Sequence, residues 1–299
     1  MHSSFIYPET LFDLHGDNGR VWYAQLPQLL DRLAQQWKLK VLEPFNNLTY
    51  NYVTPAILED STPVVLKLGV PGGMLEQELA ALSFFAGRGV VRLLAADPHA
   101  AALLIERLQP GLPLSNLEND DKATGIAADV LAAIWRPLPA VHSFETVENL
   151  ATGLERLRPA FNGTTGPFPL HLVQRAEGIF AELLANQGPQ VLLHGDLHHR
   201  NILQAGPDDW CAIDPQGPAG EAEYDVGALL RNPNPTISSW AELPHRQQRR
   251  LDILSERLGF DRQRLEYYSF ARAVLTAWWN YEDHRRIGDG WLAIAESLT

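Results

Sequence analysis

Cysteine is nearly absent from this sequence, since Cys211 is the single cysteine among 299 residues. One cysteine forms no internal disulfide and rules out a zinc site built from several cysteines. Because Cys211 lies in the apolar run 210–213, we expect a buried, inert thiol. Thiol chemistry is therefore not expected to carry the function.

Basic charge is also scarce, with 24 Lys and Arg against 36 Asp and Glu and a formal net charge of −12. Nucleic-acid-binding proteins usually carry the opposite balance, so we expect no nucleic-acid partner. An acidic chain suits a cationic small molecule better, although acidity also serves solubility. No segment approaches about 18 consecutive apolar residues, and residues 1–7 lack a basic stretch before an apolar one. We therefore expect a cytoplasmic protein with no membrane partner.

Strand signals dominate the first 108 residues. After an amphipathic helical pattern that ends near Trp37, β-branched and aromatic runs separated by turn residues predict an antiparallel meander. The predicted strands cover 39–45, 48–58, 64–70, 90–95 and 101–108, and one helix covers 74–86. Residues 1–108 should therefore form a sheet-rich lobe.

Helical patterns dominate residues 109–299, with two short apolar strands between them at 190–193 and 210–213. The helical patterns cover 121–135, 145–158, 170–186, 245–258 and 261–285. There are no repeats and no low-complexity linkers. The sequence thus predicts an α+β fold of two lobes, the second mostly helical.

The densest chemical signal follows the strand at 190–193. Asp196 and Asn201 lie in a polar loop between apolar runs, and Asp214 ends the next strand. Asp196 can accept a proton from a hydroxyl group. Asn201 and Asp214 offer the hard oxygen ligands that suit Mg²⁺ bridging phosphates.

Two other interpretations of this loop remain open. Four side chains, those of His194, Asp196, His198 and His199, crowd into six residues, as in a metallohydrolase, although no second cluster completes such a site. Alternatively, Asp196 and Asn201 simply cap backbone groups in a hairpin turn.

A second candidate pair lies in the first lobe. Lys67 interrupts the apolar strand 64–68, and Glu78 falls in the middle of the apolar face of the helix 74–86. A lysine on the open face of a sheet is common, but a carboxylate on a buried helix face is costly unless it is paired. We therefore expect an ion pair between Lys67 and Glu78.

A strand lysine, a helix glutamate, a hinge and the run His194-Gly195-Asp196-Leu197, followed by Asn201 and Asp214, together resemble the protein-kinase-like fold. The sequence is more narrowly similar to the aminoglycoside phosphotransferases and hydroxyurea kinases, in the branch of the streptomycin 6-phosphotransferases. The resemblance runs from about residue 40 to 235. It implies a bilobal fold with an antiparallel-sheet N-lobe that binds nucleotide, a helical C-lobe with the catalytic loop and the acceptor site, and ATP and Mg²⁺ as cofactors.

The resemblance also implies roles for the central residues. Lys67 would hold the α- and β-phosphates, and Glu78 would orient Lys67. Asp196 would be the catalytic base or the carboxylate that orients the acceptor hydroxyl. Asn201 and Asp214 would bind Mg²⁺.

Further residues would support these groups. The hinge formed by Glu106, Arg107 and Leu108 would offer backbone groups to the adenine. His194 would brace the loop through backbone contacts, and Asp225 matches a carboxylate that supports it.

The sequence departs from protein kinases in two places. The stretch 46–50 replaces a glycine-rich phosphate loop, which leaves the cover of the triphosphate undefined. Eleven positions separate Asp214 from Asp225, too few for an activation segment that docks a peptide. A small-molecule acceptor is therefore expected.

The identity of that acceptor stays open. A cationic aminoglycoside would be drawn to carboxylates, and an aromatic wall could line its site; the candidates are Glu221, Glu223, Glu282, Asp283, Trp278, Trp279 and Tyr281. Two alternatives remain, a metabolic kinase for an amino alcohol or sugar and a degenerate kinase fold that binds nucleotide without turnover. A monomer and a homodimer are both compatible with the sequence.

Overall fold

The computed structural model describes residues 9–46, 48, 50–233, 236–239, 241–288 and 290–298. The chain divides into two compact units, Met1–Gln109 and Pro110–Thr299, whereas the sequence pattern changes after residue 108. Two positions of the stretch 46–50, Asn47 and Thr49, lie outside the described residues, as do residues 1–7. No helix in the described ranges has the length and apolar character needed to cross a membrane.

An antiparallel sheet forms the centre of the first unit. Its strands are β1 (Leu39–Val41), β2 (Tyr52–Leu58), β3 (Pro63–Leu68), β4 (Leu93–Asp97) and β5 (Ala102–Glu106). They lie in the order β1-β2-β3-β5-β4. The antiparallel pairing of β1 with β2 and of β2 with β3 confirms the predicted meander, although each strand is shorter than its apolar run.

Helix α1 (Glu9–Gln36) covers one face of this sheet. Its Leu26 and Leu33 belong to the same core cluster as Leu66 of β3. Because side chains alternate along a strand, Lys67 lies on the opposite face.

Helix α2 (Leu75–Phe85) follows β3 and buries one side. The buried residues are Leu75, Glu78, Ala81, Leu82 and Phe85. The helix ends because Ala86 adopts a left-handed conformation (φ 52°), and its N–H donates to the carbonyl of Leu82. Glu78 is therefore held on the buried side of a short, well-terminated helix.

Helices make up most of the second unit. They are α3 (Asp120–Ile134), α4 (Val147–Ala151), α5 (Leu157–Ala160), α6 (Leu170–Ala185), α7 (Glu223–Leu230), α8 (Leu243–Leu258), α9 (Arg262–His284) and α10 (Trp291–Glu296). The bounds of α3, α6, α8 and α9 agree with the predicted helices to within two residues, whereas α7 and α10 were not predicted.

The single helix predicted over 145–158 was wrong. Helices α4 and α5 are separated by a 3-10 turn, Thr152–Arg156. Gly153 weakens helical structure there, and a Cβ at this position would lie 2.8 Å from Nε1 of Trp279 on α9. The chain breaks its helix where it packs closely against α9.

Short strands in the second unit frame the polar loop. They are β6 (Arg136–Pro137), β7 (Val191–Leu192), β8 (Ile202–Gln204), β9 (Trp210–Ala212) and β10 (Ala219–Gly220). β7 pairs with β6 and β10, and β8 pairs with β9 in an antiparallel hairpin. The loop therefore runs from the end of β7 to the start of the β8–β9 hairpin.

Cys211 lies on β9 and is only half-buried, so the prediction of a buried thiol was wrong. In the described residues β9 pairs with β8 alone. A two-stranded hairpin leaves much of its surface uncovered, and an apolar run does not reveal that.

Candidate active site

A buried ion pair lies inside the first unit. Lys67 Nζ donates to Glu78 Oε2 at 2.6 Å, and the two side chains are only 5% and 8% exposed. Strand β3 turns Lys67 away from the core cluster beneath α1, and α2 presents Glu78 from its buried side. The pairing predicted from the helix pattern is therefore confirmed.

Replacing Lys67 with Met should lower the free energy of unfolding by about 3–5 kcal/mol, because it removes the ammonium group that compensates a buried carboxylate. The double variant Lys67→Met/Glu78→Met should recover most of this loss, since two apolar side chains of similar length replace the pair. Urea unfolding of the three proteins measures both effects. A double variant less stable than the single one would contradict the assigned pairing.

The segment that follows β5 was expected to act as a hinge. The backbone N–H and the Nε of Arg92 each donate to the carboxylate of Glu106 at 2.8 Å, and the N–H of Glu106 donates to the carbonyl of Arg92. No backbone hydrogen bond in the described part of the chain engages Arg107 or Leu108. Glu106 thus anchors the end of β5, and the next two residues keep unused backbone donors and acceptors.

His194 opens the polar loop of the second unit, His194–Asn201. Its Nε2 lies 2.8 Å from the carbonyl of Ile213, and its Nδ1 accepts the N–H of Asp196 at 3.2 Å. Only a neutral ring protonated on Nε2 makes both bonds, and desolvation by burial lowers the pKa of His194. The ring therefore ties the loop to the end of β9, which is the bracing expected of it.

Asp225, in the first turn of α7, supports the loop through hydrogen bonds to its backbone. Its carboxylate is fully buried and accepts the N–H groups of His194 and Gly195, both at 2.8 Å, and Nε1–H of Trp135 at 3.1 Å. Gly195 has φ 85°, and a Cβ there would lie 2.6 Å from a ring carbon of Pro218. One carboxylate and one obligatory glycine thus fix the path of the loop backbone.

Asp196 is held through one of its two oxygens. Nη2 of Arg231 donates to Oδ1 at 2.5 Å, while Oδ2 lies 3.7 Å from Nε2 of His198. Desolvation raises the pKa of Asp196, but the positive charge of Arg231, with smaller effects of His198 and Arg272, outweighs it and leaves the pKa below its usual value. Asp196 is therefore ionised at neutral pH and can accept a proton.

The β8–β9 hairpin brings Asn201 and Asp214 to the same end of two paired strands. The N–H of Ile213 donates to the carbonyl of Asn201 at 2.9 Å, and Asn201 Nδ2 donates to the carbonyl of Asp196 at 3.0 Å. Because the amide nitrogen of Asn201 is engaged, its oxygen is the atom that can meet a cation. An amide oxygen and a carboxylate, carried by neighbouring strand ends, are a donor set that fits Mg²⁺.

The two other interpretations of the loop fit this geometry less well. In the described residues no group of three or more His, Cys, Asp or Glu side chains could hold a metal ion, which disfavours a metallohydrolase. In the described residues the carboxylate of Asp196 binds the side chain of Arg231 and caps no backbone group. Of Asp196 and Asn201, it is Asn201 whose side chain bonds to the backbone there, as a plain hairpin turn requires.

His199 is buried in the same loop. Neither of its ring nitrogens has a hydrogen-bond partner among the described residues, and desolvation, with Arg250 and His198 adding to it, puts its pKa well below the usual value. His199 therefore stays unprotonated in the native state at pH values below about 6.5, where the histidine of the unfolded chain binds a proton. This difference lowers the free energy of unfolding as the pH falls below about 6.5 and has no effect above it.

Replacing His199 with Phe should therefore reduce the slope of the free energy of unfolding against pH on the acid side, by up to about 1.4 kcal/mol per pH unit. Free energies of unfolding from urea titrations between pH 5 and 7 give this slope. His171→Phe is the matched control, because His171 is exposed on α6. Equal slopes for the wild type and His199→Phe would show that His199 is not the group responsible.

Two of the carboxylates considered for the acceptor are engaged within the second unit. Glu221 is only 4% exposed and accepts hydrogen bonds from Arg264 and the hydroxyl of Tyr268. Glu223 lies 4.0 Å from Nε of the same Arg264. Glu221 in particular holds the fold together and does not present a free carboxylate to a ligand.

The other pair lies late in α9. Glu282 accepts two hydrogen bonds of 2.8 Å from Arg156, and the side chain of Asp283 is exposed. Of the two, only Asp283 has the accessibility of an acceptor ligand.

The proposed aromatic wall is mostly core packing. Trp278 is buried, and its ring stacks on that of Tyr281 with the centroids 5.9 Å apart. Phe161 and Phe168 pack edge-on or tilted against both rings. The indole of Trp279 packs closely against Gly153. These aromatic residues therefore join helices and do not form a continuous ligand surface.

Sequence reasoning missed Arg231 and Arg272, which are both buried beside the loop. Nη2 of Arg231 reaches Asp196, and Nη1 and Nη2 of Arg272 donate to the carbonyls of Tyr224 and Gly195. A signal was present, because Arg272 interrupts an apolar helical stretch and Arg231 directly follows one, and a charge in such a place is costly unless it is paired.

The sheet with its buried Lys–Glu pair and the helical unit with its supported Asp loop define a protein-kinase-like fold. A thermostable mutant of aminoglycoside phosphotransferase APH(4)-Ia, in a ternary complex with ADP and hygromycin B, matches with a TM-score of 0.60 at 13% identity. The match covers 89% of this chain and 97% of that one. The predicted fold class is confirmed.

The sequence-family model of the aminoglycoside/hydroxyurea antibiotic resistance kinases matches residues 42–284, and the chain belongs to this family. Streptomycin 6-kinase of Streptomyces glaucescens is 32% identical over 269 residues, 90% of this chain and 87% of that protein. Hydroxyurea phosphotransferase of Kitasatospora aureofaciens is 32% identical over 290 residues, 95% of this chain and 82% of that protein. The family resemblance inferred from the sequence is thus confirmed, and the chain is a phosphotransferase with a hydroxyl group as acceptor.

Proposed function

We propose that this chain transfers the γ-phosphoryl group of ATP to a hydroxyl group of a streptomycin-like aminoglycoside or of hydroxyurea, and thereby inactivates it. One observation carries the proposal. Asp225 fixes the loop that carries Asp196, and the loop and the β8–β9 hairpin bring Asp196, Asn201 and the backbone next to Asp214 close together, so a proton acceptor would lie near two oxygen ligands. Phosphoryl transfer to a hydroxyl group needs both.

The first unit would bind the nucleotide. Lys67 would hold the α- and β-phosphates, with Glu78 fixing its ammonium group in the ion pair described above. Arg107 and Leu108 would offer their unused backbone groups to the adenine, while Glu106 holds the end of β5. A lysine whose position is fixed loses little entropy when it meets the phosphates.

Asp196 would act on the acceptor. The acceptor oxygen forms a bond to the γ-phosphorus as the bond from that phosphorus to the bridging oxygen breaks, and the electron pair of that bond leaves with ADP. The proton of the acceptor hydroxyl passes to the Asp196 carboxylate. The transition state needs alignment and neutralisation of charge more than covalent help, so the supported loop supplies what the reaction requires.

Asn201 and Asp214 would hold the metal ion that accompanies ATP. Mg²⁺ bound there would neutralise negative charge on the phosphates. The donor set supports this role, because the side-chain amide nitrogen of Asn201 donates to the carbonyl of Asp196 and its oxygen could bind a ligand.

A small molecule is the better acceptor for a chain with so short a segment between Asp214 and Asp225. The relatives named above divide between streptomycin and hydroxyurea at equal identity to this chain. The cytoplasmic location and the choice between monomer and homodimer stay predictions from the sequence.

Formation of ADP in the presence of a panel of acceptors tests the proposal. Streptomycin, hydroxyurea, other aminoglycosides, choline and a fructosamine are each added with MgATP. We expect turnover with streptomycin or hydroxyurea, and ³¹P NMR of the product identifies the phosphorylated position. Turnover with choline or the fructosamine alone would favour a metabolic kinase, and binding of MgATP without any turnover would favour a nucleotide-binding protein.

A further inference from the structure

Helix α7 reaches the His194–Asn201 loop from both of its ends. Asp225 in its first turn accepts the N–H groups of His194 and Gly195, and Arg231, directly after its last residue, donates to the side chain of Asp196. Asp225 fixes the path of the loop backbone. Arg231 instead touches the carboxylate that would receive the proton.

The guanidinium group of Arg231 is itself held in place. Arg231 is 9% exposed, and its Nη1 donates to Oγ1 of Thr276 on α9 at 3.1 Å. Its Cζ lies 5.7 Å from the ring centroid of Trp291 on α10, within the range of a cation–π contact. Contacts from α9 and α10 thus fix the orientation of the Arg231 guanidinium group. Through its hydrogen bond, Arg231 in turn fixes the Asp196 carboxylate.

Several charged or titratable groups face Asp196, namely Arg231, Arg272, His198 and His194. Desolvation, and then the nearby Arg272, lower the pKa of Arg231 to about 10, which leaves it cationic at neutral pH. Arg231 is therefore the cation in direct contact with the catalytic carboxylate.

We propose that Arg231 is a positioning residue: it holds Oδ1 of Asp196, so that Oδ2 is the oxygen that meets the acceptor hydroxyl and takes its proton. The proposal rests on the proposed phosphoryl transfer. Oδ2 lies 3.7 Å from Nε2 of His198, which is beyond a hydrogen bond, and so it stays available to the acceptor. The hydrogen bond to Oδ1 restricts rotation of the carboxylate and would thereby keep Oδ2 directed at the acceptor hydroxyl group.

A purely structural ion pair predicts different behaviour. Such a pair would only secure the end of α7 against the loop, and its loss would lower Tm without changing kcat of the remaining folded enzyme. A positioning pair affects kcat of the folded enzyme and leaves KM for ATP in place.

The test compares Arg231→Gln, Arg231→Lys and Thr276→Val with the wild type, using an acceptor that the wild type phosphorylates. Arg231→Gln should lower kcat by about 10- to 100-fold, with KM for ATP nearly unchanged. Arg231→Lys keeps the charge but not the planar fork, so it should recover part of the lost kcat but not all of it. Thr276→Val should reduce kcat by a smaller factor than Arg231→Gln.

Arg264→Gln is the matched control, because Arg264 binds the buried carboxylate of Glu221 and has no described contact with Asp196. It should change Tm and leave kcat as it is. Arg231→Gln with wild-type kcat, or Arg231→Lys with no more activity than Arg231→Gln, would overturn the positioning role. Failure of the wild type to phosphorylate any acceptor would instead overturn the proposed function.

Discussion

Replacement of Asp196 with Asn is expected to lower kcat by about 10²–10⁴-fold, the usual contribution of a positioned proton acceptor. Asn preserves the shape of the side chain and keeps an oxygen for Arg231. It removes the charge and the proton affinity that an attacking hydroxyl needs. Affinity for ATP should be nearly unchanged, since Asp196 is assigned to the acceptor and not to the nucleotide.

Steady-state kinetics with separate titration of ATP and acceptor measure this effect. Asp208→Asn is a suitable control, because Asp208 is exposed in the turn between β8 and β9, and the substitution is the same. The control should behave as the wild type. If Asp196→Asn kept a tenth or more of the wild-type kcat, the assignment of the base would be wrong.

Replacement of Asp214 with Ala is expected to abolish Mg²⁺-dependent turnover, by a factor on the order of 10³ if the lost charge is worth several kcal/mol in the transition state. Asp214 would bring a formal negative charge to the proposed pair of oxygen ligands, whereas Asn201 would bring a neutral amide. Asn201→Ala should therefore have the smaller effect of the two.

A direct binding measurement separates the metal role from a general loss of activity. Mn²⁺ titration followed by electron paramagnetic resonance, with and without ATP, should show weaker binding in Asp214→Ala. Asp214→Asn is the control for the backbone, because Asp214 has φ 59° and Asn tolerates this left-handed conformation better than Ala. Unchanged Mg²⁺ dependence in Asp214→Ala would remove Asp214 from the metal site.

Local sequence patterns predicted those parts of the site that depend on nearby residues. The apolar face of α2 identified Glu78 as a buried carboxylate, and Lys67 was the charged residue on the preceding strand. A single hairpin likewise joins Asn201 to Asp214, because short apolar strands on either side of a turn pair with each other. Periodicity and chain proximity are sufficient in such cases.

Contacts between distant segments were not predictable in the same way. Asp196 and Arg231 are 35 residues apart, and Glu221 and Tyr268 are 47 apart. Such partners meet only when helices pack, and a charged residue in the sequence does not reveal which side of that packing it faces. For this reason Glu221 stood among the acceptor candidates although it is a buried structural carboxylate.

The sequence alone determined the fold class, the family and the order of the chemical groups along the chain, since these follow from residue type and spacing. Only the tertiary structure decided which groups touch. In it Asp225 binds the backbone of the loop and Arg231 binds one oxygen of Asp196. It also shows that Glu221 is buried. The physical reason is that a buried charge must be paired, and its partner is supplied by whichever helix packs against it.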